Sequence, residues 1–302
     1  MDALLRDLKH SLRMLWKSPG FTIIAVLSLA LGIGPNTAIF TVVNAVLLRA
    51  PEGRDPETLV DVYNRGEDGS WFYSGFGVVE RLREDGGEVL AGVAAWAPMD
   101  AAVDEEGTPR PVFYELVTGN YFDVLGVSPA HGRFFAPEED ETPGTHPVAV
   151  VSAPFFEGRL DGDPARVGSE IRVNGRPYTV IGVAPEGFTG KALPGAQADL
   201  WLPYSMYPHL NPGQPENGNL GITARVREGV PVATAMAAIA AVGGRIDADR
   251  KAAGSRSDFA LGAFPWSEIY LHPDLDGPIL AMAGLLLAVV GLVLLVACIN
   301  LA

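Results

Sequence analysis

The sequence predicts a membrane protein of mixed α+β class: two transmembrane helices flanking an extracytoplasmic α/β domain of two βαβ units with an inserted β-rich lobe. Three observations carry this. Residues 21–48, FTIIAVLSLALGIGPNTAIFTVVNAVLL, hold no Lys, Arg, Asp, Glu or His. A second uncharged run, 278–302, closes the chain. Between them a strand–helix–strand pattern occurs twice, at about 58–98 and 221–264, around a block of different texture at 118–203.

Residues 1–20 read as a cytoplasmic amphipathic helix lying on the membrane. Leu5, Leu8, Leu12 and Leu15 recur at spacings of three and four, with Trp16 beside them. Arg6, Lys9, Arg13 and Lys17 form a second stripe suited to an anionic surface. Ser18-Pro19-Gly20 breaks the helix, and residues 21–48 then read as the first span. At ~1.5 Å per residue that run reaches about 42 Å against roughly 30 Å of hydrocarbon, so it tilts, kinks or projects. Pro35, in Gly32-Ile-Gly34-Pro35, is the expected kink because it lacks the helical N–H. A cleaved signal ending near Ser28-Leu29-Ala30 is disfavoured, since apolar residues run on to Leu48. Four cations before the span put the N-terminus in the cytoplasm, a bias weakened but not reversed by Arg49 and Arg54.

Residues 49–277 read as the extracytoplasmic domain. Its first part, 52–117, contains LVDVY at 59–63, alternating as a strand does, then a short helix at 76–82 ending at Gly86-Gly87. Strands follow at 89–96 and at 111–117, PVFYELV. The inserted lobe, 118–203, has a short helix near 121–125 and the apolar strand VAVV at 148–151. A helical turn follows near 155–160, and strands at 170–173 and 178–183 flank Asn174-Gly175, a strong hairpin signal. A short strand at 199–202 closes the lobe. The last part, 204–275, opens with a Pro/Gly/Asn-rich loop to 219. A strand at 222–226, an Ala-rich helix from Val232 to about Asp249 and a strand at 259–264 follow. Residues 278–302 read as the second span, in which Ala281, Gly284, Ala288, Gly291 and Cys298 form a small-residue stripe. The run closes without a cationic flank, so this reading expects further chain beyond it.

Charge and composition exclude several function classes. The net charge is −14; residues 49–277 carry 18 basic against 34 acidic side chains. So acidic a surface excludes nucleic acid as a partner. The single cysteine, Cys298, lies in the second apolar run, so the large domain has neither a disulfide framework nor a cysteine metal site. No GxxxxGK[ST] loop is present: at Gly190-Lys191 the next residue is Ala192, and Pro185 stands where the first Gly is needed. His10, His131, His146, His209 and His272 lack metal-ligand spacing. Glu138-Glu139-Asp140-Glu141 and Asp274-Leu275-Asp276-Gly277 lack the ligand alternation of a calcium loop and read as solvated segments. No GxSxG precedes a helix. The sequence therefore offers no catalytic, cofactor-binding or metal residues, and the chain is expected not to be an enzyme.

Several long motifs resemble one family. LWKSPGFTIIAVLSLALGIGPNTAIFTVVNAVLLR at 15–49 is similar to the opening of MacB/FtsX-type ABC transporter permeases, nearest the acidobacterial duplicated-permease branch. NYFDVLGVSPAHGRFF at 120–135, GDPARVGSEIRVNGRPYTVIGVAPEGF at 162–188 and LLLAVVGLVLLVACINLA at 285–302 continue the resemblance in order. Pro35 departs from it, where a small residue is usual. The resemblance implies a MacB-like periplasmic core domain with a porter-like part (52–117 and 204–275) and an inserted lobe (118–203). It also implies a multi-pass protein of the bacterial inner membrane and a homodimer or paired permease half. An ABC ATPase partner would bind the ATP and drive export or mechanotransmission. The competing reading is a membrane-anchored extracytoplasmic binding or sensor module with no ATPase. A tethered hydrolase is disfavoured by the missing nucleophile–base set.

Overall fold

The structure, a computed structural model, describes residues 53–105, 108–191, 197–211, 219–269 and 272–301, with scattered positions between Lys17 and Thr41. It divides into two compact units, Ala50–Asp274 and a second made of Met1–Arg49 with Leu275–Ala302.

The Ala50–Asp274 unit is built on one sheet. Its elements begin with β1 (Leu59–Arg65), β2 (Trp71–Phe72), α1 (Phe76–Asp85), β3 (Leu90–Glu105) and β4 (Thr108–Val117). Then come α2 (Tyr121–Leu125), β5 (His131–Gly132), β6 (Val148–Val151), α3 (Ala153–Arg159), β7 (Glu170–Val173) and β8 (Arg176–Val183). The last are β9 (Leu200–Pro203), α4 (Tyr207–Leu210), β10 (Gly221–Val226), α5 (Val232–Ala252) and β11 (Ala260–Pro265). The strand order is β11-β1-β10-β3-β4-β9-β6-β8-β5, with β2 on β1 and β7 on β8 and β3.

Both expected βαβ units are present, and they interlock. β10 lies antiparallel between β1 and β3, and β1 lies antiparallel between β10 and β11. Each crossover therefore straddles a strand of the other unit, the split βαβ arrangement. Helix α1 buries Val78, Val79 and Leu82, and its C-terminal Gly86 N–H closes on the Leu82 carbonyl. Helix α5 buries Ala235, Ile239, Val242 and Gly243, one stripe at helical spacing.

β3 continues nine residues past the expected end at Trp96. It pairs with β4 without interruption from Trp96–Val117 to Glu105–Thr108. Pro98, Pro109 and Pro111 mask this in the sequence, since proline cannot donate to a ladder. β4 then pairs parallel with β9, and β9 antiparallel with β6. The ladder thus runs unbroken from the split βαβ half into the 118–203 segment. The β7–β8 hairpin turns at Asn174 (φ 50°) and Gly175 (φ 74°), left-handed conformations that an Asn-Gly pair favours. Ser152 accepts from Phe155 N and caps α3. Part of the expected 204–219 loop is helical: Tyr204–Met206 forms a 3-10 turn leading into α4, and the Tyr204 ring stacks on Phe76 at 5.0 Å.

The sheet is buried on both faces. Val60 and Val62 of β1 join α1 and α5 in one core. Leu59, Ala94, Trp96 and Val117 face a second core with Tyr121, Phe122, Phe188, Trp201 and Trp266. This changes the meaning of LVDVY. All five residues are buried, and Asp61 is 3% exposed. The alternation is between two cores, not between core and water.

In the other unit every described position from Lys17 to Thr41 is helical. The Thr37 hydroxyl donates to the Ile33 carbonyl (2.9 Å) and the Thr41 hydroxyl to the Thr37 carbonyl (2.7 Å). Both hydroxyls are thereby satisfied within the helix, as an apolar setting requires. The expected interfacial helix before Lys17 and the kink at Pro35 lie outside the described residues. The final helix, α6 (Pro273–Leu301), starts five residues before the expected Pro278, which it carries inside it. Asp274 and Asp276 in its first turn complement the positive end of its dipole. Among the described residues one helix, Pro273–Val296, is long and apolar enough to cross a membrane. Its Leu285, Leu292 and Leu295 are exposed, as are Ile24 and Leu27 in the N-terminal helical positions.

Candidate functional site

A cluster of ionic groups is buried on the second face of the sheet. Asp61 sits mid-strand in β1 directly opposite Thr223 of β10. Glu115 lies in β4 opposite Trp201 of β9. Tyr121 opens α2. Lys191 arrives from the connection between β8 and β9, immediately after Gly190.

The hydrogen bonds close on one another. Lys191 Nζ is 2.6 Å from Asp61 Oδ2, and the Thr223 hydroxyl donates to Asp61 Oδ1 at 2.6 Å. The Lys191 backbone N–H donates to Glu115 Oε1 at 2.8 Å. Trp201 Nε1 and the Tyr121 hydroxyl donate to Glu115 Oε2 at 2.7 and 3.1 Å. Lys191 Nζ also lies 4.4 Å from the Trp266 ring centre and 5.8 Å from that of Trp96. Gly190 is required beside Glu115: its φ is +75°, and a Cβ there would collide with the carboxylate.

Burial governs the electrostatics. Desolvation pushes the Glu115 carboxyl up to about 7, against the opposing pull of Trp201, Tyr121 and Lys191. It raises the Tyr121 phenol, an effect that the Glu115 charge reinforces. It lowers the Lys191 ammonium, while Asp61 and Glu115 hold it up. Every carboxylate oxygen accepts at least one bond from within the cluster, so the arrangement can fasten segments together and hold a cation.

Of the residues weighed from the sequence, Gly190 and Lys191 lie in this cluster, and the acidic runs and the histidines lie elsewhere. Glu139 pairs with Arg133 through two contacts of 2.7 and 2.8 Å, and Asp140 accepts from Gly119 N (2.8 Å) and Ser205 N (2.9 Å). Glu139 and Asp140 of the acidic run thus brace loops, and burial raises the Asp140 carboxyl. Asp274 accepts from Trp71 N at 2.7 Å, and the Asp274–Gly277 segment forms the first turn of α6. His131 lies in β5 and His209 in α4; His146 contacts Thr145, and His272 packs on the rings of Tyr63 and Tyr73. His10 lies outside the described residues. Among those described, no group of His, Cys, Asp or Glu is placed to hold a metal ion.

Sequence reasoning passed over the cluster. Asp61 and Glu115 each interrupt an apolar strand, LVDVY and PVFYELV, and that was the available signal. Gly190-Lys191 stood out only as a failed phosphate loop, and nothing in a connection between strands pointed Lys191 toward Asp61.

The split βαβ half and the 118–203 segment thus share one continuous sheet. The profile of the MacB-like periplasmic core domain matches residues 22–242. The chain belongs to this family. The resemblance read from the sequence motifs is thereby borne out. Among solved structures, the periplasmic region of MacB from Actinobacillus actinomycetemcomitans is similar, with a TM-score of 0.52 at 13% identity over 79% of this chain and 95% of that one. The extracellular domain of the noncanonic ABC-type transporter YknZ from Gram-positive bacteria aligns with a TM-score of 0.49 at 14% identity, over 67% and 98%. At 13% identity the MacB likeness is one of fold. No curated protein matches the chain. The chain therefore carries the MacB-like periplasmic domain of ABC-type transporter permeases, and with its apolar helix α6 it is a membrane-anchored protein.

Proposed function

We propose that the chain is the transmembrane permease subunit of a MacB/FtsX-type ABC transporter, coupling a cytoplasmic ATPase to movements of its extracytoplasmic domain. The observation that carries this reading is the family match over residues 22–242, which takes in the first apolar run as well as the folded domain. Family membership brings an ABC transporter context, in which the ATPase binds and hydrolyses ATP and the permease hydrolyses nothing. The proposal includes a cytoplasmic N-terminus, two spans and an outward domain.

Two measurements test it. The permease carrying the further chain expected beyond residue 302 is reconstituted in lipid with the ABC ATPase subunit that co-purifies with it, and ATP hydrolysis is followed. Turnover is expected to change when the permease is present. Failure to recruit any ATPase, or unchanged turnover, favours the anchored binding or sensor module. For topology, single cysteines replace Ser11 or the exposed Ser257 in a Cys298→Ala background. An impermeant thiol reagent applied to outer-membrane-permeabilised cells is expected to label position 257 and not 11; the reverse overturns the orientation.

A further inference from the structure

The Lys191 ammonium has the surroundings of a bound ligand. Asp61 supplies a carboxylate oxygen at 2.6 Å, while its other oxygen is held by Thr223. The indole faces of Trp266 and Trp96 lie 4.4 and 5.8 Å from Nζ. A fixed carboxylate with aromatic faces is the chemistry that recognises alkylammonium ions. The walls come from β1, β3, β10 and the residue after β11, all in the split βαβ half. The occupant comes from the β8–β9 connection, in the inserted segment. Its backbone is held separately, by Lys191 N–H on Glu115 Oε1. The side chain is thus a tethered guest in a site that other elements build. Its own side chain is 11% exposed and that of Asp61 4%, so the pairing is shielded from screening by salt.

We propose that Asp61, Trp96 and Trp266 form a binding site for a primary alkylammonium group, occupied in cis by Lys191, and that this occupancy fastens the β8–β9 connection to the split βαβ half. The inference stands on this geometry and is independent of the transporter reading. A tethered guest acts at an effective concentration of about millimolar or more. A free amine therefore competes poorly with Lys191 but enters once that side chain is removed.

The test uses the full chain in detergent with the Lys191→Ala substitution. Amide hydrogen exchange is followed in peptides covering 184–191 and 197–203, with peptides from α1 and α5 as internal controls. The substitution is expected to speed exchange at least about tenfold in the first group only, because a buried charge loses its partner. About 10–100 mM n-butylammonium is expected to restore protection, an amount that follows from the effective concentration of the tether. An equal concentration of n-butanol is expected not to. Adding Asp61→Asn is expected to abolish the rescue. Equal rescue by the alcohol, no rescue by the amine, or rescue that survives Asp61→Asn each overturns the proposal. Lys191→Met covers the case in which the alanine variant does not fold, since it keeps the length and removes the charge. It is expected to loosen the connection while the controls stay protected; wild-type protection of the connection in that variant also overturns the proposal.

Discussion

Glu115 shows what a single buried carboxyl does to the pH dependence of a fold. Its ordinary value is 4.5, and burial pushes it up to about 7. Between those values the folded chain binds a proton that the unfolded chain has released. Stability therefore falls as pH rises from about 4.5 to about 7, by an amount of order 3 kcal/mol from this group. Glu115→Gln keeps the shape and removes the titration. Urea unfolding at pH 5 and pH 8 is expected to show wild type losing about that much more stability than the variant over the interval; parallel losses would show that Glu115 does not titrate there. This residue also marks how far the sequence was legible. An acid inside PVFYELV was visible, but an alternating strand reads as half-solvated. Only the second core, built by α2 and by residues far along the chain, makes the position dry.

Among elements, the β7–β8 hairpin was the most legible and does more than its sequence announces. Asn-Gly predicted the turn, and the left-handed values at Asn174 and Gly175 agree with it. The turn also docks on β3: Asn174 Oδ1 accepts from Ala102 N at 2.9 Å, and Asn174 N donates to the Ala102 carbonyl at 2.8 Å. Asn174→Ala removes the side-chain acceptor and strains the left-handed backbone, at an expected cost of about 2 kcal/mol. Asn174→Gly removes the acceptor alone and is expected to cost about 1 kcal/mol. Thermal unfolding of the pair separates the two contributions; equal losses would show that the backbone conformation contributes nothing. β3 was legible only in its first half, because prolines and acids interrupt its pattern where β4 supplies the partner. Tyr204–Leu210 was hidden for the opposite reason. It lies beside a Pro/Gly/Asn-rich stretch, and the ring of Phe76, distant in sequence, gives it its place.

For the whole molecule, the two βαβ units and the inserted segment were legible, and their interleaving was not, since strand order in a sheet leaves no local trace. The Ala50–Asp274 unit contains its own cores and no cysteine, so it is expected to fold as a soluble domain. Residues 50–274 expressed alone should unfold cooperatively in urea; aggregation without a transition would show that the flanking helices are needed. The interlocked sheet also sets a timetable for folding. β1 is flanked by β10 and β11, and Asp61 meets Thr223, 162 positions later in the chain. Hairpins such as β7–β8 and β1–β2 close short loops and form early, whereas the pairings of β1 with β10 and β11 wait for nearly the whole domain. In vectorial synthesis β1 emerges first and is enclosed last, with the edges that β10 and β11 will cover open to wrong partners in the interval. The strand that carries the Lys191 counter-ion is thus the one that a growing chain has most need to shield.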